Sequence, residues 1–117
     1  MKKLQGFLKL ISDETRLRVL MLLNEEALCV CELEGILEIP QPRVSSILSK
    51  YRDLGLVVDE RKGKFIYYKL ELKDPLHRAI VSSIKEKRSS IEQLTRDYEQ
   101  MLNKEGIINA CKGSPSI

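Results

Sequence analysis

The spacing of apolar residues changes twice along the chain and divides it into three stretches. From residue 4 to residue 54, apolar side chains recur at intervals of three and four, which is typical of helices packed on a core. The interval falls to two between residues 57 and 70, and helical spacing returns from Leu76 to Met101. The pattern therefore predicts a mainly α chain that carries one β-hairpin.

The stretch from Cys29 to Val57 predicts two helices joined by a tight turn. The apolar stripe of the second helix consists of Val44, Ile47, Leu48, Tyr51 and Leu54. Pro40 and Pro42 fix the turn and the first helical turn, where a missing N–H would have no partner anyway. The arrangement predicts a helix-turn-helix.

The opposite face of the second helix is small and polar, with cations beside it. Its candidate DNA-binding residues are Gln41, Arg43, Ser45, Ser46, Ser49 and Lys50. Short side chains allow a helix axis to approach a major groove, hydrogen-bonding tips suit base edges, and cations suit phosphates. An ordinary solvated helix face would have a similar composition, so both interpretations stay open on this segment alone.

A two-stranded hairpin is predicted after the helix pair. Val57 and Val58 begin one strand, the polar run turns around Gly63, and residues 65–70 alternate as a second strand. The tip carries three cations: Arg61, Lys62 and Lys64. Alone, such a tip is a charged turn that aids solubility. Beside a helix-turn-helix, it is expected to contact the phosphate backbone or the minor groove of DNA.

The last apolar stripe predicts one long helix that opens at Pro75 and runs for roughly 28 residues, or ~42 Å. A domain of this size is too short to cover such a stripe, so we expect it to pack on a second chain. The fold prediction is therefore a winged helix-turn-helix dimerised through its terminal helices. Residues 1–102 form the DNA-binding and dimerisation domain, and residues 103–117 form a flexible tail.

Composition sets the broad class of the chain. Its 117 residues make one domain, 43% hydrophobic and 32% charged, with a formal net charge of +3. The middle of the chain is its basic part, which is compatible with nucleic acid as a partner. No run approaches the ~18 apolar residues of a membrane helix, so the expected location is cytoplasmic, with no membrane partner.

Cys29 and Cys31 lie one residue apart where the first helix of the pair begins, and the third cysteine is distant. Unpaired helix N–H groups lower the pKa of a thiol at such a position, whereas Glu32 and Glu34 oppose that effect. Two thiolates at this spacing can bind one soft metal ion. The spacing is not that of a CxxC redox motif, and a structural zinc site would need more ligands. Buried, inert cysteines are the alternative.

These segments resemble those of the arsenical-resistance repressor (ArsR/SmtB) family of winged-helix metalloregulators. LCVCEL at 28–33 resembles the family's metal-binding box, and SDETRLRVLMLL at 12–23 resembles its core helix. PQPRVSSILSKYRDLGLV at 40–57 resembles the recognition helix, and RKGKFIYYKL at 61–70 resembles the wing. The resemblance covers residues 7–100. It implies a homodimeric repressor that binds a palindromic operator when metal-free.

The resemblance also implies release of the operator when a toxic soft metal or metalloid binds. The expected effector is trivalent arsenic or antimony, or a similar thiophilic ion, held by Cys29 and Cys31, and no cofactor is expected for DNA binding. The arsenic-responsive box of the family usually has a third Cys where this chain has Glu34. Cys111 is then either the third ligand or a passive cysteine of the tail.

Two other functions use the same thiols. A repressor could respond to oxidation of the pair, and it would then be released from DNA by peroxide without metal. A small thiol enzyme such as an arsenical reductase would use Cys29 as its nucleophile, but the sequence has no Gly-rich anion cradle beside it. The expectation is therefore a transcriptional repressor and not an enzyme.

Overall fold

The computed structural model describes residues 1–104 of the chain, which form six α-helices and a three-stranded sheet. The elements are α1 Lys2–Ile11, α2 Glu14–Glu25, β1 Leu28–Cys29, α3 Val30–Leu37, α4 Gln41–Asp53, β2 Val57–Lys62, β3 Phe65–Leu70, α5 Pro75–Glu86 and α6 Glu92–Leu102. The predicted fold class, mainly α with a β-hairpin wing, is confirmed. Among these helices none is long and apolar enough to cross a membrane.

Helix α2 is the centre of the core. Asp13 caps its start by accepting a hydrogen bond from the backbone N–H of Arg16 at 2.9 Å. All five residues from Val19 to Leu23 are buried, so the helix is covered on nearly every side. Burial of this order contributes roughly 1.5 to 3 kcal/mol for each large apolar side chain. The remaining helices therefore assemble around α2.

Helices α3 and α4 form the predicted helix-turn-helix. The apolar stripe of α4 is buried from Val44 to Tyr51, and the Tyr51 hydroxyl donates a hydrogen bond to the backbone carbonyl of Arg16 in α2. Burial raises the pKa of that hydroxyl, so it remains a donor. Leu54 was expected in the stripe but is 56% exposed, because α4 ends at Asp53 and Leu54 follows as its C-cap.

The hairpin of β2 and β3 pairs antiparallel from Val57 opposite Leu70 to Lys62 opposite Phe65. Gly63 has a φ of 63° in the turn, a conformation that glycine adopts without strain. A third strand was not predicted: β1 pairs with β3 through Leu28 and Cys29. Two residues are too few for an alternating pattern, so only the partner strand reveals β1.

The prediction of one long last helix is wrong. Helix α5 ends at Glu86, a short 3₁₀ turn spans Arg88–Ser90, and α6 begins at Glu92. The Arg88 guanidinium is 2.8 Å from a Glu25 carboxylate oxygen. The backbone carbonyl of Arg88 accepts a hydrogen bond from the Thr95 hydroxyl at 2.8 Å. These contacts stabilise the break because they draw the turn onto α2 and satisfy a carbonyl outside the helical ladder.

The break also changes what the apolar stripe does. Leu94 and Met101 of α6 are buried in the core of their own chain rather than left for a second chain. The expectation that a single domain could not cover this stripe is therefore wrong for α6. Apolar side chains stay exposed on α1 and α5, at Leu8 and Leu76.

One buried ion pair fastens α6 to α2. Arg18 donates to both carboxylate oxygens of Asp97, at 2.9 and 3.0 Å, and its Nη2 lies 3.4 Å from the carbonyl of Leu37 at the end of α3. Asp97 is buried, and its hydrogen bonds raise the pKa of Arg18. The bidentate geometry compensates the cost of burying both charges.

We expect Asp97→Asn to destabilise the fold because it leaves the half-buried Arg18 guanidinium without its counter-charge. The free energy of unfolding should fall by up to ~3 to 5 kcal/mol, the cost of breaking a fully buried pair. Urea denaturation followed by circular dichroism measures the change. The matched control is Glu99→Gln, an exposed acid two residues along the same helix, and a loss as large in the control would contradict this role of the pair.

Candidate DNA-binding face and thiol site

The predicted polar face of α4 lies on the surface of the protein. Gln41, Arg43, Ser46, Ser49 and Lys50 are exposed, and Ser45 is half-buried. Two of these side chains already have partners within the chain. Gln41 donates from Nε2 to the Ser45 hydroxyl at 3.0 Å, and the Arg43 guanidinium lies 3.3 Å from Asp13. A base contact by Arg43 would therefore compete with an exposed ion pair.

The cations at the hairpin tip are exposed as the sequence predicts. Lys62 lies with its Nζ 5.7 Å from the centre of the Tyr67 ring, and Arg61 donates from Nε to the Gly63 carbonyl at 3.3 Å. The hairpin is joined to α4 by a hydrogen bond from the Leu56 N–H to the Tyr51 carbonyl at 2.9 Å. This hydrogen bond lies between the predicted recognition helix and the first strand of the wing.

Cys29 occupies a junction between the sheet and the helix-turn-helix. It is the last residue of β1, where it pairs with Tyr67, and it is also the N-cap of α3. Only 4% of its surface is exposed. Cys31 is the second residue of α3 and is half-buried. The structure thus places both predicted cysteines at the first turn of α3.

A capping box fixes the first turn of α3. The Cys29 sulfur accepts a hydrogen bond from the backbone N–H of Glu32, and Glu32 Oε1 accepts one from the backbone N–H of Cys29 at 3.0 Å. The carboxylate of Glu32 is buried in this arrangement. The sequence signal was available, because a capping box has a small polar residue followed three positions later by Glu or Gln. Here cysteine stands in place of serine or threonine.

The position of Cys29 changes the expectation for its reactivity. Helix N–H groups do favour the thiolate, but burial is the larger effect and raises the pKa of the Cys29 thiol. The nearby Glu32 carboxylate raises it further. The expected pKa lowering at a helix start is therefore outweighed in the folded protein.

The chemistry of the donor set fits a soft ion, although the described residues do not complete a site. Within residues 1–104, no group of three or more His, Cys, Asp or Glu side chains is placed to hold a metal ion. Glu34, which stands where a third Cys is expected, is exposed. The third predicted ligand, Cys111, lies outside the described residues.

The described chain ends close to the thiol segment. Lys104, which follows α6, lies with its Nζ 2.9 Å from the Glu26 carboxylate, three residues before Cys29. Burial raises the pKa of Tyr67, and Cys29 adds to this effect while Lys104 opposes it. The end of the described chain therefore lies on the side of the molecule that carries Cys29.

The known proteins that this chain resembles are bacterial transcriptional regulators. The family model for bacterial regulatory proteins of the arsR family matches residues 13–58. An arsenic resistance transcriptional regulator of Pseudomonas putida is 43% identical over 68 residues, covering 57% of this chain and 53% of the relative. The arsenical resistance operon repressor of Escherichia coli is 43% identical over 63 residues, with 53% and 54% covered. The chain therefore spans about half the length of the curated relatives it matches.

Solved structures agree with the sequence matches over a larger share of the chain. The transcriptional repressor BigR from Xylella fastidiosa superposes with a TM-score of 0.63 at 30% identity, covering 71% of this chain and 83% of that one. The antimony-specific transcriptional repressor AntR gives a TM-score of 0.64 at 25% identity, with 79% and 82% covered. With the winged helix-turn-helix and the family match over its central helices, the chain belongs to the arsR family of bacterial regulatory proteins.

Proposed function

We propose that the chain is a metalloid-responsive transcriptional repressor, which binds operator DNA as a homodimer and leaves it when trivalent arsenic or antimony binds cysteine thiolates. The observation that carries the proposal is the position of Cys29 and Cys31 at the first turn of the helix-turn-helix. A small thiol enzyme is not retained, because the family that matches is one of regulatory proteins.

The names of the relatives support the effector class. They include regulators of arsenic resistance and of cadmium resistance, and a solved antimony-specific repressor. Arsenic, antimony and cadmium ions all favour thiolate sulfur over oxygen. The CxC pair supplies two such ligands at one place in the chain, which is the common requirement of these ions.

The capping box supplies the coupling between the thiols and DNA. An ion held by both sulfurs removes the Cys29 sulfur from the Glu32 N–H, which loosens the first turn of α3. Helix α3 packs on α4, and Cys29 also ends the strand that pairs with the wing. A shift of this one residue therefore acts on both predicted DNA-contacting elements, and even a coupling of ~1 to 3 kcal/mol changes DNA affinity by about 5- to 150-fold.

The third ligand is proposed to be Cys111. Cys111 is the seventh residue after Lys104, and seven residues of extended chain reach ~23 Å. The Lys104–Glu26 ion pair places the start of this segment close to Cys29. Three thiolates suit inorganic arsenite, whereas two suit a mono-organic arsenical, which has only two exchangeable positions.

The polar face of α4 and the wing tip are proposed to contact the operator. Gln41, Arg43, Ser45, Ser46, Ser49 and Lys50 would reach the bases and phosphates of a major groove, and Arg61, Lys62 and Lys64 would reach the backbone. All of these residues except Ser45 are exposed, which supports the proposal because none of the cations is needed to cover the core.

The homodimer is proposed to form through α1 and α5. Leu8 and Leu76 are 45% and 49% exposed, and Leu4, Ile80 and Ile84 beside them are half-buried. A second copy would cover these apolar side chains in a symmetric contact. Two recognition helices related by the twofold axis would then meet major grooves about 34 Å apart.

The effector test uses fluorescence polarisation with a duplex selected by the protein from a random library. Arsenite should release the wild type, while Cys29→Ser and Cys31→Ser should bind DNA but resist release, because each loses a soft ligand. Cys111→Ser should lose most of the arsenite response and retain the response to phenylarsenous acid.

Each outcome separates one part of this scheme. An unchanged arsenite response in Cys111→Ser removes that cysteine from the site. Release of the wild type by peroxide alone, with no effect of arsenite, supports the redox-sensing alternative and contradicts a metalloid effector. Glu34→Ala serves as the control for a nearby change that removes no sulfur.

The capping box predicts that Cys29 is protected in the folded protein. Alkylation by iodoacetamide, followed by mass spectrometry, should be slow at Cys29 in the wild type because the thiol is buried. Glu32→Ala removes the reciprocal cap and should accelerate the reaction several-fold, whereas Glu34→Ala, a matched exposed acid, should not. Equal rates in the two variants would show that the cap does not protect the thiol.

The DNA proposal predicts different effects for the wing and the helix. Lys62→Ala should weaken all duplexes alike and reduce the slope of log K against log salt by roughly 0.9, the value for one lost phosphate contact. Arg43→Ala should narrow the preference for the selected duplex over random DNA by ~1 to 3 kcal/mol if Arg43 reads a base in bidentate fashion. If Arg43→Ala weakens binding to the selected duplex and to random DNA equally, Arg43 contacts phosphate and not a base.

The dimer proposal predicts that Leu8→Glu and Leu76→Glu give folded monomers in sedimentation velocity experiments, because each places a charge in the apolar contact. Val58→Glu is the matched control, since Val58 is equally exposed but lies on the hairpin. If both helix variants remain dimers, the interface does not include Leu8 and Leu76. Leu94→Glu is unsuitable as a test, because Leu94 is in the core and a charge there would unfold the chain.

A further inference from the structure

A cavity of about 740 Å³ opens beside the predicted recognition helix, between α1, the end of α4 and the start of α5. Its apolar wall consists of Phe7, Leu10, Leu54 and Leu56. None of the residues placed in the thiol site lines it, and of the predicted DNA-binding residues only Lys50 does. Its volume is in the range of natural small-molecule sites, which is roughly 300 to 1,000 Å³.

A buried imidazole in the wall has an unused hydrogen-bonding atom. The His77 ring is stacked on Phe7 at 4.0 Å between ring centres and is only 5% exposed. Its Nε2 has no hydrogen-bond partner and is the one buried side-chain nitrogen or oxygen in residues 1–104 of which this is true. The nearest carboxylate oxygen, on Asp74, is 3.6 Å away. A buried polar atom without a partner is costly, so this atom marks a place for a ligand.

The rim of the cavity is strongly basic. It carries six cations, Lys2, Lys3, Lys9, Arg16, Lys50 and Lys73, and one carboxylate, Asp74. Lys3 pairs with Asp74, and Arg16 donates to the carbonyls at the end of α1. The other four lysines form no salt bridge within the described part of the chain. The rim therefore has an excess of positive charge that an anion would neutralise.

The cavity is separate from the proposed dimer contact. At about 100° per residue, Lys2, Gly6 and Lys9 project from one side of α1, and Leu4 and Leu8 from the other. A second copy that covers Leu8 would leave the cavity open to solvent.

We propose that this cavity binds a small aromatic carboxylate. The flat apolar part of such a ligand would pack on the Phe7 and His77 wall, and its carboxylate would bond His77 Nε2 and the rim lysines. Selective binding requires both ring stacking and a charged hydrogen bond. Apolar walls alone would not select a charged ligand, and exposed lysines alone would bind any anion weakly.

Isothermal titration calorimetry with 2-naphthoate tests the class of ligand. The comparison ligands are 2-naphthamide, which has the ring without the charge, and inorganic phosphate, which has the charge without the ring. Both should bind at least about tenfold more weakly than 2-naphthoate, the factor expected for a lost charged hydrogen bond. Equal binding of the amide, equal binding of phosphate, or no binding of 2-naphthoate would overturn the proposal.

Two variants locate the site. Gly6→Leu places a side chain into the cavity, where an added Cβ meets no atom within 4 Å, and leucine favours the helix more than glycine does. His77→Phe keeps the stacking on Phe7 and removes Nε2. Each variant should weaken the binding of 2-naphthoate at least about tenfold. Gln5→Leu, a similar change on α1 outside the cavity, should leave that affinity unchanged. Unchanged affinity in Gly6→Leu would place the ligand elsewhere.

Discussion

The architecture depends on the buried ion pair between Arg18 and Asp97. Its two hydrogen bonds hold α6 on α2, and a third contact from Arg18 reaches the Leu37 carbonyl at the end of α3. Three helices that are distant in sequence thus meet at one guanidinium, whose planar group of donors suits several oxygens at once. The C-terminal end of α3 is fixed in this way, and the capping box fixes its first turn.

Cys29, at the first turn of α3, has several structural roles. The residue ends a strand, caps a helix and supplies a predicted ligand, so its sulfur cannot bind an ion without affecting secondary structure on both sides. Burial of the thiol favours the capped, protonated state until a strong soft ligand competes for it. Stability of the helix start and the proposed sensitivity to a thiophilic ion therefore depend on the same hydrogen bonds.

Helix α1 serves two surfaces that differ in chemistry. One side is apolar and suits a second copy, while the other side borders a basic cavity with a buried imidazole. Because α1 contacts α2 and stacks Phe7 on His77 of α5, both surfaces are built on the same core. Charge and apolar area are thus separated around a ten-residue helix, so the proposed dimer contact and the proposed ligand site lie on different sides of it.

The helix-turn-helix and the hairpin could be predicted from the sequence, because each is encoded by a local period of apolar residues and by prolines or Gly63 at its turns. The positions of the thiols and of the basic residues followed from those elements. The strand β1 and the break after Glu86 could not be predicted, because each depends on a partner far along the chain: Tyr67 for the strand and Glu25 for the break. Local periodicity determines which elements form, and only the packed core decides where they end and which side chains it covers.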